Sequence, residues 1–300
     1  MKAKPKISLV IPVHNEEKNI PIVYEESKQV LNELYEQKGY SYEIIFVNDG
    51  STDRSLDVLK KIKNNDPCVR VLNMDRNRGQ AAALSAGFYY ARGDFIISMD
   101  GDGQNDPRYI KRLIEKLEEG YAVVTGFRIK RQEPFFQRIL PSRIGNWVIS
   151  LVTGLKVHDN GCTLKGYKSE IPKRFQIPHG FHRFIPALFR VKNDEVYEIK
   201  VIDRHRPYGK SHYNNFKRTL EVLRELVTIP FVLRDPIKWG SRFDILSKVL
   251  GIGTVITVFF ANKKIFALTG GTTLLSFIIY KNLERFNQAQ KEGVFKVQEL

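Results

Sequence analysis

Phe95-Ile96-Ile97-Ser98-Met99-Asp100-Gly101-Asp102-Gly103-Gln104 is an apolar run that ends in an acidic, glycine-rich turn. Such a stretch reads as a short buried strand that delivers carboxylate oxygens to the loop it enters. Two carboxylates one residue apart, with a third oxygen two residues on, suit a hard cation such as Mg²⁺ or Mn²⁺, which keeps open positions for substrate phosphate. An isolated D-x-D is equally a polar turn capping the next helix. An EF-hand is excluded, because its glycine would fall at Asn105 and its bidentate glutamate at Lys111.

Outward from this stretch, similar runs alternate with longer amphipathic ones. Ile7–Val13, Tyr42–Val47, Val69–Leu72, Phe95–Met99 and Ala122–Thr125 read as buried strands, whereas Glu16–Gln37, Thr52–Asn64, Gln80–Ala91 and Pro107–Glu119 carry helical spacing. The alternation predicts an α/β fold with a mostly parallel sheet and helices on both faces. Ligands on such sheets bind beyond the carboxyl ends of the strands. Polar clusters stand at those ends: His14-Asn15-Glu16, Asn48-Asp49-Gly50-Ser51-Thr52-Asp53, Arg76-Asn77-Arg78-Gly79-Gln80 and Asp100 to Gln104. Each alone reads as a turn, and Ser51, Thr52 and Asp53 read as helix caps. In succession on one rim they read as a site. Glycine-rich nucleotide loops are excluded: Gly101 and Gly103 would need a further glycine at Asp106, and Gly209-Lys210-Ser211 would need one at Arg204.

Composition narrows the partners. A chain of 300 residues can hold one large α/β domain or two small ones, and a net charge of +15 implies an anionic partner: nucleic acid, a phosphorylated substrate or anionic lipid. Cys68 and Cys162 lack C-x-x-C spacing, so neither a zinc site nor a disulfide framework is expected, and a reducing compartment fits. Met1 to Lys6 is basic but the apolar run after it is short, so no signal peptide is expected and the chain is expected to begin in the cytoplasm.

Val10-Ile-Pro-Val-His-Asn-Glu16, Val47-Asn-Asp-Gly-Ser-Thr-Asp53, Arg76-Asn-Arg-Gly-Gln80 and Asp100-Gly-Asp-Gly-Gln-Asn-Asp-Pro107 together resemble the inverting nucleotide-sugar glycosyltransferases with a Rossmann-like catalytic domain. More narrowly, the chain is similar to the dolichyl-phosphate mannose synthases and bacterial undecaprenyl-phosphate glycosyltransferases. Asp159-Asn-Gly-Cys-Thr-Leu-Lys-Gly-Tyr167, His182-Arg-Phe-Ile-Pro-Ala-Leu188 and His205-Arg-Pro-Tyr-Gly-Lys-Ser-His-Tyr213 extend the match, in order, from about Ile7 to Leu233. His14 departs from the pattern, where many members carry an aromatic, and the stretch from Pro207 to Gly209 is shortened.

The resemblance implies roles residue by residue. Pro12, Glu16, Val47 and Asp49 would line the base and ribose, with His14 near the base. Asp100, Asp102 and Gln104, with Gly101 in the turn, would hold the metal (Mg²⁺ or Mn²⁺) and through it the donor diphosphate. Arg206, Lys210 and Ser211 would close over that diphosphate. A lipid phosphate is already ionised near neutral pH and attacks without a general base, so the acceptor side needs cations instead. Arg128 and Arg143 are assigned to it, because a guanidinium fork suits phosphate. Lys130, Arg131 and Arg138 read as a solvated face, and Cys162 as a small core residue. Asp159 either orients acceptor or sugar, or shapes a turn.

Phe216, Leu220, Leu223 and Val227 fall at helical spacing, so Asn214–Thr228 reads as an amphipathic helix at a membrane interface or packed on the catalytic domain. Ile245–Ala261 and Ile265–Tyr280 are apolar runs broken by Lys248 and by Asn262-Lys263-Lys264. They read as a hairpin that spans the membrane, the preferred reading, or one that re-enters it. Gly251, Gly253, Gly270 and Gly271 would permit close packing or homo-oligomer contacts. The expected organisation is a catalytic domain over 1–212, amphipathic juxtamembrane helices over 213–243 and a membrane hairpin over 244–300, at the cell membrane with the catalytic domain on the cytoplasmic side.

The expected function is metal-dependent, inverting transfer of a hexose, mannose or glucose above all, from a GDP- or UDP-sugar to a polyprenyl phosphate. Transfer to a hydroxyl of a glycolipid or cell-surface polysaccharide is the alternative. Nucleic acid is not expected as a partner, since the basic residues are dispersed and no binding motif stands out. A nucleotidyltransferase would need a triphosphate-binding loop that the sequence lacks.

Overall fold

The computed structural model describes residues 4–130, 140–209, 215–259 and 263–300; for 130, 140–144, 215–220, 256–259, 263 and 264 the backbone alone is described. The chain divides into two compact units, Met1–His212 with Val294–Leu300, and Tyr213–Gly293.

The first unit is built on an eight-stranded sheet. Its strands are β1 (Ile7–Val13), β2 (Tyr42–Asn48), β3 (Val69–Met74), β4 (Phe95–Ser98), β5 (Val123–Lys130), β6 (Lys165–Lys168), β7 (Val196–Ile202) and β8 (Val297–Glu299), in the order β7-β5-β6-β4-β1-β2-β3-β8. β1 pairs in parallel with β2 and β4, β2 with β3, and β5 with β7. β6 runs antiparallel between β4 and β5, and β8 antiparallel to β3. Parallel neighbours need crossover helices, which are α1 (Ile20–Lys38), α2 (Ser55–Asn65) and α3 (Gln80–Tyr90). α4 (Tyr109–Glu118), α5 (Leu140–Thr153) and the single turn α6 (Ile185–Leu188) follow.

Local sequence explains these elements. α1 buries Ile20, Val23, Tyr24, Ser27, Val30, Leu31 and Leu34, one stripe at helical spacing, and ends at Gly39, whose N–H bonds Tyr35 O. The central strands are buried on both faces, as a parallel sheet covered by helices requires. β6 and β7 interrupt or extend the sheet where no strand was read: β6 is short and contains Gly166 between lysine and tyrosine, and β7 carries Glu198 and Lys200.

β8 holds to the sheet edge through a charge cluster that runs from the exposed Glu299 to the buried Glu43. Arg70 donates to both Glu299 oxygens at 2.6 and 3.0 Å, and its Nη1 donates to Glu43 Oε2 at 2.6 Å and to Tyr90 O at 2.9 Å. The other Glu43 oxygen accepts from Ser8 Oγ and from the N–H of Arg92, each at 2.6 Å. One guanidinium on β3 thus joins β2 and β8, and Glu43 carries the link on to β1.

The second unit comprises α7 (Asn215–Arg234), α8 (Pro236–Phe259) and α9 (Lys263–Glu292). Phe231, Trp239 and Phe243 stack across the α7–α8 turn, with ring centroids 4.8 to 6.0 Å apart. Asn282 Nδ2 donates to Arg224 O and Thr228 Oγ1 at 3.3 and 3.1 Å, joining α9 to α7. The amphipathic helix expected to stop at Thr228 continues through Pro230.

The expected membrane-spanning hairpin is corrected: among the described residues no helix is long and apolar enough to cross a membrane. α8 begins well before Ile245 and carries Lys238, Arg242, Asp244 and Lys248 in its first turns. α9 carries Thr269, Gly270, Gly271, Thr272 and Thr273 in the middle of its apolar run. Thr269, Thr272 and Thr273 return their hydroxyls to Ile265 O, Leu268 O and Thr269 O at 2.8 to 3.0 Å. Charges and hydroxyls dilute both runs below the roughly 20 consecutive, predominantly apolar residues that a span needs. The expected transmembrane helices, and with them the expected placement at the cell membrane with the catalytic domain on its cytoplasmic side, are withdrawn. Ile245, Val249, Ile252, Leu268, Leu274 and Phe277 are exposed.

Replacing Arg70 by Met would leave Glu43 buried without its counter-charge, a loss that typically costs about 3–5 kcal/mol. The expected outcome is a fall of about 3 kcal/mol in unfolding free energy, read as a lower urea midpoint at constant slope; a change under about 1 kcal/mol would contradict it.

Candidate active site

The site is built where the loops after β1, β2, β3, β4 and β7 meet. Two glycines allow the approach. A Cβ on Gly50, whose φ is +60°, would stand 2.3 Å from the main-chain N of Asn77, and one on Gly101 would stand 2.9 Å from Pro12 O. The β2 loop is thereby pressed against the β3 loop, and the Asp100–Asp102 turn against the end of β1.

Reciprocal bonds lock the first two loops. Asn15, at φ +57°, accepts from Thr52 N at 2.7 Å on its side-chain oxygen, while its own N–H donates to Ser51 Oγ at 3.0 Å. Glu16 N donates to Ser55 Oγ at 2.8 Å, and Arg54 N to Glu17 Oε2 at 3.1 Å. Asp49 is buried and accepts from the N–H groups of Arg78 and Gly79 at 2.7 and 2.9 Å, which fixes the β3 loop; burial pushes its carboxyl above the ordinary range. His14 Nδ1 lies 2.9 Å from the carbonyl of Asp49, which can only accept, so Nδ1 carries the proton and Nε2 accepts from Asn77 Nδ2 at 3.1 Å.

The segment after β7 lies against the same rim. Arg206 pairs with Glu16, whose other oxygen accepts from Asn19 Nδ2 at 2.6 Å, and Asn19 Nδ2 also reaches Tyr208 O at 3.1 Å. Arg204 N donates to Gln104 O at 2.8 Å, and its guanidinium pairs with Glu26 and Asp106 at 2.7 and 2.8 Å.

The acidic pair lies beneath this segment. Asp100 accepts from Gln80 Nε2 on one oxygen and from Thr163 Oγ1 on the other, each at 2.6 Å, and its N–H donates to Asn105 Oδ1 at 3.0 Å. Asp102 Oδ1 accepts from Gln104 N at 3.0 Å. Burial raises Asp100, and burial together with the charge of Asp100 pushes Asp102 up to about 7. Among the described residues no three His, Cys, Asp or Glu side chains converge as a metal cage. Two half-buried carboxylates bonded by neutral donors nevertheless fit a hard cation that takes its remaining ligands from substrate oxygen and water.

Arg128, at the end of β5, forks onto the buried Asp159 with Nε and Nη2 at 2.7 and 2.9 Å, and its Nη1 reaches Asp203 at 3.4 Å. Against burial, which opposes the charge, the bonds from Asp159 hold the guanidinium well above its ordinary range. Asp203 is raised by burial and accepts from Asn105 Nδ2 at 3.4 Å.

The structure therefore brings together His14, Glu16, Asp49, Asp100, Gly101, Asp102, Gln104, Arg128, Asp159 and Arg206. Pro12 and Val47 are register partners in β1 and β2, and Val47 is fully buried. Arg143 lies on α5 with its side chain outside the described residues, as are Lys210 and Ser211. Gln80, Asn105, Thr163, Lys165 and Asp203 contribute without having been singled out. All but Asp203 fall inside the polar motifs quoted above, and Asp203 follows a strand whose existence would have marked it.

A family model described as glycosyl transferase family 2 matches residues 8–197. The chain is 35% identical over 255 residues to dodecaprenyl-phosphate galacturonate synthase of Rhizobium johnstonii, covering 83% of this chain and 73% of that protein. It is 37% identical over 223 residues to undecaprenyl-phosphate 4-deoxy-4-formamido-L-arabinose transferase of Pseudomonas aeruginosa, covering 74% of this chain and 64% of the relative. Glucosyl-3-phosphoglycerate synthase from Mycobacterium tuberculosis, solved with Mn²⁺, uridine diphosphate and phosphoglyceric acid, superposes with a TM-score of 0.55 at 20% identity over 77% of this chain and 79% of that one, a likeness of fold.

Asp102 holds its proton more readily folded than unfolded, where its pKa is 3.8. It therefore stabilises the metal-free protein at low pH, and that contribution is lost as pH rises from 3.8 toward about 7. A cation competes with the proton. In EDTA the thermal midpoint should fall across that window, and Mn²⁺ should raise it at about pH 7.5 far more than at about pH 5. An equal Mn²⁺ effect at both values would contradict the assignment.

Proposed function

The chain belongs to glycosyl transferase family 2 and is a glycosyltransferase, and on that premise we propose that it moves a hexose from a nucleotide-diphosphate sugar to the phosphate of a polyprenyl phosphate with inversion of the anomeric carbon. The relatives at 35% and 37% identity, both named for polyprenyl-phosphate acceptors, support the acceptor class. The observation that carries the donor side is the acidic pair, two carboxylates raised by burial and, at Asp102, by its neighbour's charge.

Asp100, Asp102 and Gln104 would hold Mg²⁺ or Mn²⁺, whose chemistry is to stabilise negative charge on a departing nucleoside diphosphate. The remaining roles belong to the chain's own side chains. The clasp of Asn15, Ser51 and Ser55 fixes the loops against which base and ribose would lie, with Pro12, His14, Glu16, Val47 and Asp49 around them. Arg206, Lys210 and Ser211 would face the diphosphate. Arg128 and Arg143 would face the acceptor phosphate, which is already ionised and needs no base. An incoming phosphate would draw Nη1 of Arg128 from Asp203, its longest contact at 3.4 Å, while the bonds to Asp159 keep the guanidinium in place.

Asp203 favours one second reading. A half-buried carboxyl raised by burial beside the acidic pair is suited to take a proton from a hydroxyl acceptor on a glycolipid or polysaccharide. The test is a thin-layer assay with radiolabelled UDP- and GDP-hexoses, offering undecaprenyl or dolichyl phosphate in parallel with glycolipid alcohols. Label on the lipid phosphate, abolished by EDTA, is expected. Asp102→Asn should remain folded and lose more than about 100-fold in kcat/KM, beyond what an outer partner of a metal ligand costs. Label on alcohols alone would transfer the assignment to Asp203.

A further inference from the structure

Lys165 opens β6 and is only 2% exposed. Burying an ammonium is costly unless its hydrogens are taken and opposite charge is near. Its Nζ donates to the main-chain carbonyl of Cys162 and, at 3.3 Å, to that of Asn160, and Asp159 and Asp100 supply negative charge nearby.

Those two carbonyls belong to the loop 159–164, whose later carbonyls are bonded by neighbouring strands. Thr163 O accepts from Ser98 Oγ at 2.7 Å and Leu164 O from Gly126 N at 2.9 Å. Lys165 therefore supplies the donors for the middle of the loop, where no strand pairing reaches. The same loop carries Asp159, which grips Arg128, and Thr163, whose hydroxyl lies 2.6 Å from Asp100 Oδ2.

We propose that Lys165 is a positioning residue: its ammonium pins the 159–164 loop so that Thr163 orients Asp100 and Asp159 orients Arg128. It acts through the loop backbone, to whose carbonyls it donates. The metal arm of this inference rests on the reading of Asp100 and Asp102 as a cation pair, and its loop arm does not.

The test uses the full chain with Lys165→Met, Thr163→Val and the double variant, each checked for folding by near-UV circular dichroism. Hydrogen exchange in peptides covering 159–164 should accelerate by about tenfold or more in Lys165→Met, with peptides of β1 to β3 unchanged. Free Mn²⁺ measured by electron paramagnetic resonance should show binding weakened on the order of 10–100-fold in Lys165→Met and in Thr163→Val. The double variant should bind no more weakly than Lys165→Met alone, because both act on Asp100 by one route. Unchanged exchange in the loop, parental Mn²⁺ binding in folded Lys165→Met, or multiplying losses in the double variant would overturn the proposal. If Lys165→Met does not fold, Lys165→Arg keeps the charge and displaces the donors; Mn²⁺ binding weakened about tenfold supports the pin and parental binding overturns it. A parent chain that binds no Mn²⁺ would remove the cation pair from the mechanism, and loop exchange would then decide the role of Lys165.

Discussion

The cost of holding Asp100 and Asp102 side by side where burial disfavours their charge is the constraint on which the candidate site depends. Two carboxylates at the end of a buried strand cannot both ionise cheaply without opposite charge, and the neighbourhood answers mostly with dipoles: the amide of Gln80, the hydroxyl of Thr163 and the main-chain N–H of Gln104. Among the described residues the cations nearby include Arg128, already committed to Asp159, and Lys165, bonded to carbonyls. Under the proposed function such a site would take a divalent cation together with the diphosphate of a nucleotide-diphosphate sugar.

The loops that surround this pair owe their rigidity to side chains that substitute for secondary structure. Asn15, Asp49, Ser51 and Ser55 bond main-chain groups of neighbouring loops, so their polar atoms face inward as scaffold. Asp49 is instructive: both of its oxygens accept from the β3 loop, so it can shape a nucleotide pocket through that loop as well as by contact. Preorganisation of this kind keeps ligand binding from having to order the loops first.

How far the sequence disclosed this follows from what each element needs. β1 to β5 are β-branched runs bounded by polar clusters, and the period of α1 to α4 marks their buried faces, so the parallel core was legible. β6 depends on a tolerated glycine and a buried lysine, and β8 on an arginine in another strand, which no local pattern reveals. The hairpin misread arose from the length of the apolar runs in α8 and α9, counted without the threonines inside them. At the site, the acidic turn and the arginine were visible as residue types, whereas the partnership of Thr163 with Asp100 depends on β6 lying beside β4. Asp203 was hidden for the same reason, since its position follows from β7 pairing with β5.

The most direct measurement of the central claim is an anomalous difference map from crystals of the chain grown with Mn²⁺ and a nucleoside diphosphate. The account predicts one strong peak bonded to the carboxylate of Asp102 at the carboxyl end of β4, with diphosphate oxygen completing its coordination. A bound nucleotide with no peak at Asp100 or Asp102, or a peak held by other residues, would contradict it.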